Sequence, residues 1–165
     1  AFFPPRYKYN RYLEPFVGGG AVFFYLRPQK AILSDLNRDL INCYEIIKKN
    51  LNNLINILEK YQLRHSRNFY CEVRNNYNAQ ILNKIERAAA FIYLNKTCFN
   101  GLYRVNSIGE FNVPFGKYKE VIIYEKNKIL EASKLLKNVR LGNIDFRQVK
   151  YPKKSFVYFE NYGRT

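Results

Sequence analysis

Two rhythms of apolar residues share this chain. RYLEPF, at residues 11–16, is a short aromatic-rich run that reads as a strand ending at Pro15. Three glycines come next, and AVFFYL then reads as the first turns of a buried helix that Pro28 stops. KAILSDLN is a second strand, apolar through Ala31, Ile32 and Leu33 and closing on Asp35. From Arg38 to about Tyr61 the period lengthens. Leu40, Ile41, Tyr44 and Ile47, then Leu51, Leu54, Ile55 and Leu58, predict two helices broken near Asn50. Strand, glycine turn, helix, strand, helix is a βαβα unit, which implies a parallel sheet.

Residues 63–138 break that rhythm. Helical spacing covers about 67–77, 84–97 and 125–137, and between the last two lies NGLYRVNSIGEFNVPFGKYK, whose alternation around Ser107-Ile108-Gly109 is a hairpin signature. The helix carrying Ile85, Ala88, Ala89, Phe91, Ile92 and Leu94 reads as plain core with no substrate contact. NVRLGNIDF and KSFVYFE then resume the short strands. The expected organisation is an α/β core, residues 1–62 and 139–165, interrupted by a mainly helical insert, 63–138, that carries a β-hairpin.

Charge changes this picture. The 165 residues hold 28 Lys and Arg against 13 Asp and Glu, a formal +15 that suits a partner bearing phosphate or an acidic surface. A chain rich in Lys, Asn, Ile and Tyr together also fits an AT-rich genome, so charge alone leaves both accounts open. A hydrophobic content of 47% argues against disorder. No run approaches the roughly 18 apolar residues of a membrane span, so a cytoplasmic protein without a membrane partner is expected. Cys43, Cys71 and Cys98 lack paired spacing and His65 is the one histidine, so no metal is expected.

The chemistry concentrates in EPFVGGGAVFFYL, residues 14–26. Glycines between strand and helix let backbone approach a ligand. A dinucleotide fingerprint would put its third glycine where Phe23 stands, and no Gly-Lys-Ser/Thr of a P-loop is present. What remains is a ligand without pyrophosphate, such as a nucleoside with an amino-acid tail, and S-adenosylmethionine fits. Asp35, at the end of the second strand, is placed to accept from ribose hydroxyls. The alternative is that Gly18, Gly19 and Gly20 only permit tight packing while Asp35 caps the next helix.

LEPFVGGGAVFF, SDLNRDLINCY, FIYLNKTCFNGLYRVN and GEFNVPFGKY resemble, in family order, successive blocks of the Dam/DpnM-type DNA adenine methyltransferases. The resemblance implies a Rossmann-like S-adenosylmethionine-dependent methyltransferase core and an inserted DNA-recognition subdomain. It also implies methyl transfer to the exocyclic amino group of adenine in duplex DNA, in restriction-modification beside a cognate endonuclease or in strand marking. Glu14, Pro15, Phe16, Gly18, Gly19 and Gly20 would wrap the methionine end of S-adenosylmethionine, Asp35 would hold the ribose, and Asp145 with Phe146 would border the adenine.

Cations and aromatics interleave in the recognition block, an arrangement suited to phosphate, guanine edges and base stacking. Equally, a basic hairpin can simply pack its aromatics on neighbouring helices. By resemblance, Arg104 reads a guanine and Leu102 with Phe99 presses into the stack. Asn100, Asn106 and Pro114 would help define the remaining bases, Lys117 and Tyr118 would hold the DNA backbone, and Lys96 is a further DNA-binding residue. The match is to members that read GATC.

The family places Asp-Pro-Pro-Tyr after a strand like SFVYF at 155–159, where this chain reads Glu160-Asn161-Tyr162-Gly163. Glu160 keeps the carboxylate one methylene further out. The family's Gly-Gly-Lys loop is missing from the front, and the chain has no methionine. The expectation is that pieces of a longer methyltransferase stand joined here. The rival is a split or non-catalytic remnant that binds DNA without modifying it.

Overall fold

A computed structural model describes residues 3–5, 8–118 and 120–159. Four parallel strands form one sheet in the order β3-β2-β1-β4, with β1 Arg11–Glu14, β2 Ala31–Ser34, β3 Val139–Gly142 and β4 Ser155–Val157. Tyr12 pairs with Ala31 on one side and Phe156 on the other, so β1 is central. Its Tyr12 and Leu13 are both fully buried although they point to opposite faces, as a parallel sheet covered on both sides requires. The expected α/β class with a parallel sheet is thus observed.

Chain order steps outward from β1 to β2 to β3, then returns to the far side of β1 for β4. The reversal falls between β1 and β4, and in open α/β sheets the carboxyl ends of strands at such a point are where ligands bind.

The helices are α1 Ala21–Leu26, α2 Arg38–Lys49, α3 Leu51–Arg64, α4 Arg67–Asn78, α5 Lys84–Thr97 and α6 Lys126–Leu136. Local chemistry accounts for their ends. Asn37 caps α2 by accepting from the Asp39 and Leu40 amides, and Lys48 and Lys49 sit in its last turn where the helix dipole favours cations. Ser66 caps α4, and Asn83 with Glu86 forms a reciprocal capping box on α5. Ala88, Ala89 and Ala90 are fully buried, and these small side chains let α5 lie close against α2, α3 and α4. Tyr70, Tyr93, Leu54 and Leu58 complete that helical core.

The expected hairpin is a looser structure than two continuous strands. Antiparallel bridges join Cys98 to Phe115 and Val105 to Phe111, with irregular backbone between them. NVRLGNIDF likewise divides into β3 and a short turn of 3₁₀ helix, Phe146–Gln148.

Candidate functional site

The glycine turn is fastened at the carboxyl edge of the sheet. Glu14 closes β1 in a fully buried position, and its Oε2 accepts the Tyr12 hydroxyl at 2.8 Å. Burial, reinforced by that carboxylate, raises the Tyr12 hydroxyl far above the ordinary phenol range. Pro15 is buried and Phe16 turns outward. The Val17 amide then donates to the Ser34 carbonyl at 3.0 Å, and Tyr44 donates its hydroxyl to the Gly18 carbonyl at 2.9 Å.

The glycines have separate reasons to be there. Gly18 and Gly20 have φ of 47° and 68°, a region that side chains rarely adopt. A Cβ on Gly20 would stand 2.8 Å from the Tyr44 hydroxyl and 3.0 Å from the Phe24 ring, so packing alone explains that residue. A Cβ on Gly18 or Gly19 would meet nothing within 4 Å. Bare backbone there faces open space, a cradle that side chains would fill.

Asp35 ties this turn to the start of α2. Its Oδ2 accepts from the Gly18 amide at 3.0 Å and its Oδ1 from the Asn37 amide at 2.9 Å. The helix cap that is the alternative role for Asp35 belongs instead to Asn37, while the Asp35 carboxylate bridges the Gly18 and Asn37 amides.

Asp145 and Phe146 come after β3 at the same edge. Both Asp145 oxygens accept from the Arg147 guanidinium, at 2.8 and 2.7 Å, and this pairing holds the carboxyl down at about 2. The Phe146 ring lies 5.1 Å from that of Phe16, which is 6.3 Å from Phe159 beyond β4. Aromatic rings from three strand ends therefore converge where the glycine turn opens. Glu160 lies outside the described residues.

The segment 99–118, expected to recognise DNA and called the recognition segment for that reason, is pinned at its base and exposed above it. The Phe99 amide donates to the Pro114 carbonyl and the Gly116 amide to the Thr97 carbonyl, each at 2.8 Å, while Tyr118 donates its hydroxyl to the Cys98 carbonyl at 3.1 Å. Lys96, Phe99, Asn100, Leu102, Arg104, Pro114, Lys117 and Tyr118 are all exposed, with half of the Phe99 and Leu102 surfaces open. Arg104 leans on Asn112, its Nε donating to Oδ1 at 2.9 Å. Asn106 differs: its Oδ1 accepts from the Ile108 and Glu110 amides and its Nδ2 donates to Glu110, so the side chain shapes the turn.

A broad open cleft of about 920 Å³ joins the two parts. Gly19 lines it together with Asn100, Gly101 and Tyr118 of the recognition segment and Phe91, Ile92, Asn95 and Lys96 of α5. The expectation that α5 is wholly core therefore needs correction. Ala88, Ala89 and Leu94 are indeed buried, but Phe91 and Ile92 are only half-buried and face the cleft. The signal was present in the helical period, since Asn95 and Lys96 stand four residues beyond Phe91 and Ile92 and give their stripe a polar end.

A family model for the D12 class N6 adenine-specific DNA methyltransferase matches residues 1–160. The chain belongs to this family. A type II methyltransferase from Methanocaldococcus jannaschii is 42% identical over 92% of this chain and 57% of its own length. Another, from Lactococcus lactis subsp. cremoris, is 43% identical over 93% of this chain and 56% of its own length. A DNA N-6-adenine-methyltransferase of Escherichia phage P1 is 47% identical over 67% of this chain and 15% of its own length. The chain thus spans just over half the length of the type II relatives. Among the described residues no group of side chains could hold a metal ion, and no helix is long and apolar enough to cross a membrane.

Proposed function

We propose that this protein binds S-adenosylmethionine and methylates the exocyclic amino group of adenine in duplex DNA, within GATC. The cleft carries the reading, because it sets bare Gly19 backbone opposite Asn100, Gly101 and Tyr118. Donor and acceptor of a group transfer must meet, and proximity with orientation is a large part of such catalysis.

The residues fit the cofactor. Gly18 and Gly19 leave room that a Cβ would take, and the aromatic pair Phe16 and Phe146 offers an apolar wall for a purine. Glu14, Pro15 and the glycines would hold the amino-acid end, Asp35 the ribose, and Asp145 with Phe146 the adenine. When bound, the cofactor supplies a methyl group on a sulfonium, an electrophile that needs no metal. Glu160 would accept a hydrogen bond from the target amino group and so free its lone pair.

DNA would lie across the exposed face of the recognition segment. Lys96 and Lys117 would meet phosphates, Phe99 and Leu102 would enter the stack beside an extruded adenine, and Arg104 would read a guanine with a bidentate fork. Asn100 and Pro114 would contact the other bases, with Tyr118 bracing the loop. Asn106 contributes through the turn that presents Arg104. The type II naming of two relatives supports a restriction-modification setting with a cognate endonuclease.

The test is transfer of tritiated methyl groups from labelled S-adenosylmethionine by the full-length protein to duplexes with GATC or a scrambled site. Incorporation confined to GATC is expected. Equal incorporation into both duplexes overturns the site assignment, and incorporation into neither overturns the enzymatic reading in favour of a non-catalytic DNA-binding protein.

A further inference from the structure

Between the glycine turn and the recognition segment stands a hydrogen-bonded node that the proposed chemistry does not use. Asp39, in the first turn of α2, receives the Arg87 guanidinium on both oxygens, from Nε to Oδ1 at 2.5 Å and from the terminal nitrogen to Oδ2 at 2.8 Å. Tyr77 of α4 donates its hydroxyl to Oδ2 at 2.5 Å, and Arg87 of α5 returns a bond to the Tyr77 carbonyl at 2.9 Å. The Arg87 guanidinium also lies 4.3 Å from the centroid of the Tyr77 ring. The pair is largely withdrawn from water, with side-chain exposures of 23% for Arg87 and 15% for Asp39. Burial would raise the Asp39 carboxyl, but the bonds from Arg87 and Tyr77 outweigh it and hold the group below its ordinary value.

The node is continuous in both directions. Toward the cofactor side, the Asp39 amide donates to Asn37 Oδ1, the Asn37 amide to Asp35 and the Gly18 amide to the other Asp35 oxygen. Toward the DNA side, the Tyr77 ring sits 6.4 Å from Phe111, which is 5.9 Å from Tyr103. Asn78, the next residue along α4, clasps Phe111 by accepting from its amide at 2.9 Å and donating to its carbonyl at 3.0 Å. Tyr103 is next to Arg104 in sequence, so the ring contacts lead from Tyr77 through Phe111 to the neighbour of Arg104. Residues flanking Asp35 and Arg104 are thereby connected to one bonded group.

We infer that Asp39, Arg87 and Tyr77 are positioning residues through which binding at Asp35 and binding at the recognition segment reinforce one another. This rests on the function proposed above. Coupling between sites is reciprocal and is commonly of the order of 5–150-fold in affinity, so it can be measured from either side.

The experiment measures duplex affinity of the full-length protein with and without saturating S-adenosylhomocysteine, by fluorescence anisotropy on a GATC oligonucleotide. Tyr77→Phe removes one oxygen from the node, Arg87→Lys keeps the charge but loses the fork, and Tyr124→Phe removes an exposed hydroxyl bonded to Glu59, away from the node, as a control. The cofactor product is expected to tighten duplex binding on the order of tenfold in the unmodified protein and in Tyr124→Phe. In Tyr77→Phe and Arg87→Lys that factor falls toward one, while each variant still binds the duplex and the cofactor product separately. Binding of both ligands with no coupling, or with coupling unchanged in Tyr77→Phe, overturns the inference and leaves the proposed function standing. Failure of the unmodified protein to bind either ligand overturns both.

Discussion

Between Val17 and Gly20 the chain is fastened from behind by Ser34, Asp35 and Tyr44, and its front is bare backbone. Between Phe99 and Tyr118 the fastening is at the base, and the front is a display of long side chains. A small ligand of fixed shape is best met by a surface already in place, because ordering on binding costs affinity. A duplex whose sequence must be told apart needs protruding groups with directional donors. On the function proposed above, the two loops differ because one would meet a molecule that never varies and the other would choose among many.

Glycine substitutions break the comparison most sharply. A Cβ at Gly116 would collide with the Tyr118 ring and stand 2.6 Å from the Cys98 carbonyl oxygen. Gly116→Ala is expected to lower stability by about 1–3 kcal/mol in denaturant titrations, the range for forcing atoms into a packed site. Unchanged stability would show that the base of the segment is not tightly closed. Arg104→Ala is expected to leave folding intact and to cost ~1–3 kcal/mol of discrimination between cognate and single-substituted duplexes. Equal loss on cognate and scrambled duplexes would make Arg104 a phosphate contact.

Gly19→Ala tests the front of the other loop. With nothing within 4 Å of the added carbon, melting should shift by less than about 0.5 kcal/mol, the usual range for an unhindered surface change. S-adenosylmethionine binding, tracked by calorimetry, should weaken about tenfold, or ~1.4 kcal/mol. Full retention of binding would place the ligand elsewhere. The smallest effect is acidic. The lowered Asp39 carboxyl binds fewer protons in the folded chain than in the unfolded one. Its stabilisation is therefore complete above the ordinary carboxyl value of ~3.9 and fades as pH falls below it. The stability gap between the unmodified protein and Asp39→Asn should narrow on acidification, and a gap that widens contradicts the pairing.

Much of this was legible in the sequence because it depends on neighbours along the chain. The period of Lys84–Thr97 marked α5 at both ends, and the glycine turn, with Asp35 following the next strand, marked the carboxyl edge of the sheet where the cofactor is proposed to bind. The node was not legible. Asp39 meets Tyr77 and Arg87 across 38 and 48 positions, and only the packing of three helices brings them together. Asn106 is ambiguous in sequence for a related reason: its type suits base reading and turn-making equally, and the choice depends on the Ile108 and Glu110 amides folding back onto it. Phe91 and Ile92 look like core by composition, and the cleft in front of them exists because a segment distant in sequence stands opposite.

The anchors of the recognition segment are mostly main-chain groups: the Phe99 and Gly116 amides, the Pro114, Thr97 and Cys98 carbonyls, and both polar atoms of Phe111 held by Asn78. Such attachments are indifferent to which side chains stand at the tip. On the proposed function, exposed residues between Leu102 and Glu110, apart from the turn-forming Asn106 and Glu110, could be exchanged as a cassette for a new target word while the frame that holds them stays in place.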